Sequence, residues 1–164
     1  MFGPRALEKR VKCRSFYFDL SLLEDYWLRR KYHHTMSSTL VYALYEALSI
    51  VEEEGLDPRW NRHEGHHRGL VSALESLGLT MLPGAADRLW TLNAVRVPEG
   101  IDEAAVRQQL LNRFNIEIGA GLGPLAGKIW RIGLMGASSS MQMVELLSVA
   151  LESALVGQGW RAGV

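Results

Sequence analysis

The sequence predicts an α/β or α+β domain, and three observations carry that expectation. Two long central segments hold apolar residues at helical spacing between clear start and stop signals. Short β-rich runs bounded by Gly and Pro follow them. Finally, 48% of the 164 residues are hydrophobic, enough to fill a packed core without an internal repeat or a low-complexity stretch.

In chain order, Phe16-Tyr17-Phe18 reads as a short extended piece, and a helix seeded by Asp19 or Ser21 leads to the basic Arg29-Arg30-Lys31. After Tyr32-His33-His34-Thr35 a helix starts at Ser37 or Ser38. Leu40, Leu44, Leu48 and Val51 recur on it at helical steps, Glu52-Glu53-Glu54 forms its last turn, and Gly55 stops it. A second long helix starts around Asp57-Pro58, a capping residue followed by a proline at the first helical position, and runs to Gly78. Leu79 to Leu82 and Leu89 to Val97 read as strands around a Pro83-Gly84 turn. Asp102 caps a helix to about Phe114, Asn115 to Gly119 and Ile129 to Met135 are further strands, and Ser138 to about Val156 is the final helix.

Charge and composition narrow the partners. Eighteen basic residues balance eighteen acidic ones, and no like-charged block exceeds Glu52-Glu53-Glu54, so the chain carries no electrostatic footprint for nucleic acid or an anionic membrane. A single cysteine, Cys13, forms no internal disulfide, which fits a reducing compartment. The charged first twelve residues are followed by no apolar run, and nothing approaches the roughly 18 uncharged apolar residues of a membrane span. A soluble, cytoplasmic protein is expected.

Two motifs invite a catalytic reading. His63-Glu64-Gly65-His66-His67 satisfies the H-E-x-x-H pattern, in which two histidines one turn apart chelate zinc and the glutamate acts as base. The helix pattern puts Trp60, His63, His67, Leu70, Val71, Leu74 and Leu77 on one core-facing stripe. A third ligand is lacking: Leu70 occupies the glycine position of the longer motif, and Glu75 is too close along the same helix. The expectation is packing histidines and no metal. Gly121-Leu122-Gly123-Pro124-Leu125-Ala126 matches a dinucleotide fingerprint, but the β-rich Lys128 to Gly133 follows where a helix should open. A Gly-rich turn between two strands, of the kind that brings backbone close to a small ligand, is the expectation there. Arg131, flanked by Trp130, Ile132 and Leu134, is a costly cation unless paired, and a structural salt bridge and a ligand clamp satisfy that need equally.

Tyr32-His33-His34-Thr35 before a long helix, followed near the C-terminus by GLGPLAGKIWRIGLMG, resembles the serine–pyruvate and alanine–glyoxylate aminotransferases. These are class V, fold type I enzymes that use pyridoxal 5'-phosphate. The resemblance runs from Phe16 through the final helix, and departs from the family at Ser37, where a proline is common. It implies an α/β (α+β) small domain of helices packed on a short, mostly antiparallel sheet. Residues 1–51 would be the end of the large cofactor-binding domain and the connecting helix, and residues 52–164 the small C-terminal domain. By the same resemblance, Tyr32 and Thr35 hold the phosphate of the cofactor bound in the neighbouring subunit of a homodimer. Arg131 grips the carboxylate of amino acid and 2-oxo acid substrates.

None of Lys9, Lys12, Lys31 and Lys128 sits in a context like the family's Schiff-base lysine, which the resemblance places upstream of Met1. The expectation is therefore a C-terminal fragment of a transaminase moving an amino group from alanine or serine to glyoxylate or pyruvate, inactive alone. The alternative is a noncatalytic α/β interaction module derived from such an enzyme.

Overall fold

The computed structural model describes residues 3–9, 11 and 13–161. The chain divides into two compact units, Met1–Ser49 and Ile50–Val164, with the boundary inside one helix.

The first unit holds α1 (Pro4–Glu8), α2 (Leu20–Arg29) and most of α3 (Ser38–Glu54). The Asp19 carboxylate accepts the N–H of Ser21 at 2.9 Å and of Leu22 at 3.4 Å, which satisfies two of the donors left open at the start of α2. That helix ends in the left-handed Arg30, whose N–H donates to the Asp25 carbonyl, while the Asp25 side chain pairs with Arg29 and Lys31. Phe16-Tyr17-Phe18 is not extended as expected. It forms a turn, in which the Phe16 ring lies flat on His33 and Ser15 Oγ accepts the Phe18 N–H at 3.4 Å. Among the described residues no strand pairs with it to straighten it. The expected stripe does form on α3, but Leu40, Leu44 and Leu48 are 70, 59 and 59% exposed, and no residue of the helix is buried.

The second unit holds α4 (Leu56–Ser76), β1 (Leu92–Arg96), α5 (Glu103–Phe114), β2 (Gly119–Ala120), β3 (Ile129–Gly133) and α6 (Met141–Val156). Gly55, at φ 78°, turns the chain into α4 two residues earlier than expected, so Pro58 falls third. A proline is tolerated there because a first-turn N–H has no partner in the helix. Asp102 caps α5 by accepting the Ala105 N–H at 3.0 Å, and Ser140 caps α6 through the Met143 N–H.

The sheet is antiparallel throughout, in the order β1-β3-β2. All four expected strands are shorter, and two of them contract to a bridge or to two residues. Leu79 to Leu82 contributes only a bridge, Met81 to Val95, flanked by bonds between Leu82 and Ala94 and between Arg96 and Thr80. The strand expected from Asn115 begins at Gly119, because Asn115 takes the left-handed conformation, φ 54°, that ends α5, and Ile116 and Ile118 turn into the core. Opposite residues of an antiparallel pair point to the same face. The register therefore puts Asn93 with Ile132 and Val95 with Trp130 on the buried face, and Ala94, Arg131 and Gly119 in a row on the other.

The core lies between the buried face and the helices: Leu70, Leu74, Val106, Leu110, Leu151 and Leu155 are at most 1% exposed. Burying each such side chain contributes roughly 1.5–3 kcal/mol. Trp60, expected on the stripe of α4, is exposed instead, whereas His63, His67, Leu70, Val71 and Leu74 are buried.

Candidate functional site

Arg131 sits at the middle of the central strand, half-buried, between the two smallest neighbours in its row, Ala94 and Gly119. Its Nε donates to the Ala120 carbonyl at 2.7 Å, which lays the guanidinium along β2. A Cβ at Gly119 would stand 3.2 Å from Nη2, so the glycine leaves the space the fork occupies. Among the described residues no carboxylate pairs with Arg131 and no buried side-chain nitrogen or oxygen lacks a partner, so its Nη nitrogens open to solvent. Of the two readings left open by the sequence, no salt bridge to Arg131 forms among the described residues. The anchor is a main-chain carbonyl, and two charged donors remain for a ligand.

The Gly-rich loop before β3 is closed on itself. N–H groups of Leu125, Ala126 and Lys128 donate to carbonyls within the loop, and that of Gly121 to Ile129. Those N–H groups are not free for a pyrophosphate, and a strand rather than a helix follows the loop. Gly121 is fixed by close approach: a Cβ there would stand 2.0 Å from the Leu125 carbonyl oxygen.

In the first unit, Tyr32 and Thr35 come together. Their hydroxyls lie 2.9 Å apart on a segment without regular structure, and Tyr32 is 73% exposed. Thr35 does not cap α3; the Leu40 N–H reaches the Ser37 hydroxyl instead. Between them, His33 is buried and bonded to both Phe16 and His34, a role the sequence reading did not assign. The only local signal was a pair of histidines near an aromatic run.

The histidines of α4 are committed to structure. His63 donates from Nδ1 to the Arg59 carbonyl and accepts the Gly136 N–H at Nε2, so both ring nitrogens are used and the ring is the Nδ1–H tautomer. His67 bonds Asn93, whose amide reaches the Ile132 carbonyl, and His66 bonds the Ser139 hydroxyl. Arg62 completes this clamp on the 136–139 turn, donating to the carbonyls of Gly136 and Ser139 and to Glu54. The bond from Arg62, then that from Arg59, holds the Glu54 carboxyl down at about 2 from its ordinary 4.5, and the same bond raises Arg62. Among the described residues no three metal-ligating side chains converge.

No family model matches the chain. The (S)-ureidoglycine–glyoxylate transaminase of Bacillus subtilis is 44% identical over 152 residues, which are 92% of this chain and 36% of that protein. An alanine–glyoxylate aminotransferase of Drosophila melanogaster is 36% identical over 163 residues, covering 94% of this chain and 41% of its own. The crystal structure of an alanine–glyoxylate aminotransferase from Nostoc sp. superposes with a TM-score of 0.87 at 45% identity, over 93% of this chain and 42% of that one. The chain thus spans roughly two-fifths of the length of these relatives.

Proposed function

We propose that this chain, a homologue of the alanine–glyoxylate aminotransferases over part of their length, is the C-terminal portion of a transaminase that moves an amino group from alanine or serine to glyoxylate or pyruvate. Arg131 carries the reading. Its guanidinium is anchored at Nε, and among the described residues no acid pairs with its Nη nitrogens. A planar fork of this kind matches the two oxygens of a carboxylate, the group that amino acids and 2-oxo acids share.

The donor set at Tyr32 and Thr35 fits pyridoxal 5'-phosphate. Two exposed hydroxyls 2.9 Å apart can each turn from the other onto an anionic oxygen. We assign them to the phosphate of cofactor bound in the neighbouring subunit of a homodimer. When bound, the cofactor supplies the electron sink on which an amino group is exchanged for an oxo group. These residues bind and orient: Tyr32 and Thr35 fix the phosphate end, and Arg131 fixes the substrate by its carboxylate. The Schiff-base lysine is assigned to the portion of the relatives that this chain does not cover. We assign residues 1–51 to the end of the large domain and the connecting helix, and residues 52–164 to the small domain. The division at Ser49 and Ile50 and the uncovered apolar stripe of α3 support that assignment. Among the described residues no helix is long and apolar enough to cross a membrane. A cytoplasmic location is the corresponding proposal, supported by the free Cys13 thiol.

The test uses a holoenzyme in which residues 1–164 replace the matching segment of the Bacillus subtilis transaminase. Arg131→Lys should weaken recognition of the amino acid and spare cofactor retention, and Tyr32→Phe should do the reverse. The assignment fails if both variants shift the same property.

A further inference from the structure

Among the described residues of the first unit, only one is buried, and it is an imidazole: His33, 7% exposed. An apolar ring would fill the space at lower desolvation cost, so its hydrogen bonds account for a histidine there. The Phe16 ring stacks on it at 4.3 Å with an interplanar angle of 7°. Its Nε2 lies 3.0 Å from the Phe16 carbonyl, and a carbonyl only accepts, so Nε2 carries the proton. In the neutral ring Nδ1 is then an acceptor. The 2.7 Å contact between the two Nδ1 atoms therefore requires His34 to donate. His34 in turn packs against Tyr17 at 4.8 Å and Tyr26 at 5.5 Å, which ties the segment to α2 as well.

Tyr32 and Thr35 flank this pair, and their only side-chain hydrogen bond among the described residues is to each other. That mutual bond closes the pair, and the backbone between them sets where the two hydroxyls stand. We propose that His33 and His34 are positioning residues: a tautomer-locked imidazole pair that fixes the backbone of this segment and presents the hydroxyls of Tyr32 and Thr35 as a preformed cradle for a phosphate ester. What the cradle holds rests on the phosphate reading above. Pre-organisation of this kind strengthens binding by removing the ordering cost at the moment of association.

Two measurements test the proposal. In the chain itself, long-range proton–nitrogen NMR should show His33 as the Nε2–H tautomer and His34 as Nδ1–H, with nitrogen–nitrogen coupling across their bond. An Nδ1–H tautomer at His33 overturns the proposal. In the holoenzyme described above, cofactor retained after gel filtration is the readout. His33→Phe keeps the stack and loses both hydrogen bonds, and should weaken retention about threefold to tenfold or more. His33→Gln, whose amide nitrogen can reach the Phe16 carbonyl, should recover part of the loss. His34→Leu, which removes the donor alone, gives a second reading if His33→Phe fails to fold. Loss with Tyr32→Phe but full retention in the His33 and His34 variants overturns the positioning role and leaves the phosphate reading intact. Full retention with Tyr32→Phe overturns both.

Discussion

Replacing Arg131 with lysine keeps the positive charge and removes the fork. In the structure Nε is spent on the Ala120 carbonyl at 2.7 Å, and the Nη nitrogens are the donors left for a ligand. A lysine has one ammonium for both tasks. It either leaves the carbonyl without its partner or meets a carboxylate at one point instead of two. At least one charge-assisted hydrogen bond is lost, worth roughly 1.5–3 kcal/mol. At about 1.4 kcal/mol per factor of ten, kcat/KM for the amino acid should fall about tenfold to somewhat over a hundredfold. The carboxylate is gripped alike before and during the reaction, so the loss should appear chiefly as a raised KM with kcat little changed. Steady-state kinetics with alanine as donor, in the holoenzyme described above, measures this. Alaninamide, which has no carboxylate, should show almost no difference between wild type and variant. If Arg131→Lys instead released the cofactor or lowered Tm while KM for alanine held, Arg131 would be a structural residue and the clamp assignment would be refuted.

Two further outcomes follow from the same unit. Gly121→Ala puts a Cβ 2.0 Å from the Leu125 carbonyl oxygen and 2.9 Å from Ile129 Cγ1, and neither main chain nor core side chain can yield that much. Thermal denaturation should show a loss of about 1–3 kcal/mol or more, and an unchanged Tm would mean that the loop is not closed as described. Glu54 is held at about 2 by Arg62 and Arg59, below its ordinary 4.5. A carboxylate with a lowered folded-state value contributes stability above its unfolded value, and that contribution is lost as pH falls through the folded one. The Tm advantage of wild type over Glu54→Gln should therefore be complete at pH 6 and shrink between about pH 4.5 and 2. An advantage that stays constant across that window would show that the charge of Glu54 contributes nothing.

Helices were legible in this sequence because their signals are local. Asp19, Asp102 and Gly55 terminate elements by bonds or backbone conformations that involve residues within a turn, and each stands where the sequence puts it. Strands were less so, because a strand exists only where a partner lies alongside. Leu79 to Leu82 has the composition of one, yet it meets β1 at a single bridge. The H-E-x-x-H pattern shows the same limit in chemistry. Its spacing put His63 and His67 on the buried face correctly, but the group that occupies His63 Nε2 is the N–H of Gly136, 73 residues away. Resemblance, not periodicity, singled out Tyr32 and Thr35, since two hydroxyls three apart on an irregular segment carry no local signature. Arg131 combines both cases. That a cation among Trp130, Ile132 and Leu134 needs a partner follows from desolvation alone. Which partner depends on register: only because Gly119 and Ala120 lie opposite Arg131 and Trp130 does a carbonyl come within reach of Nε, and that contact leaves the rest of the fork to grip something else.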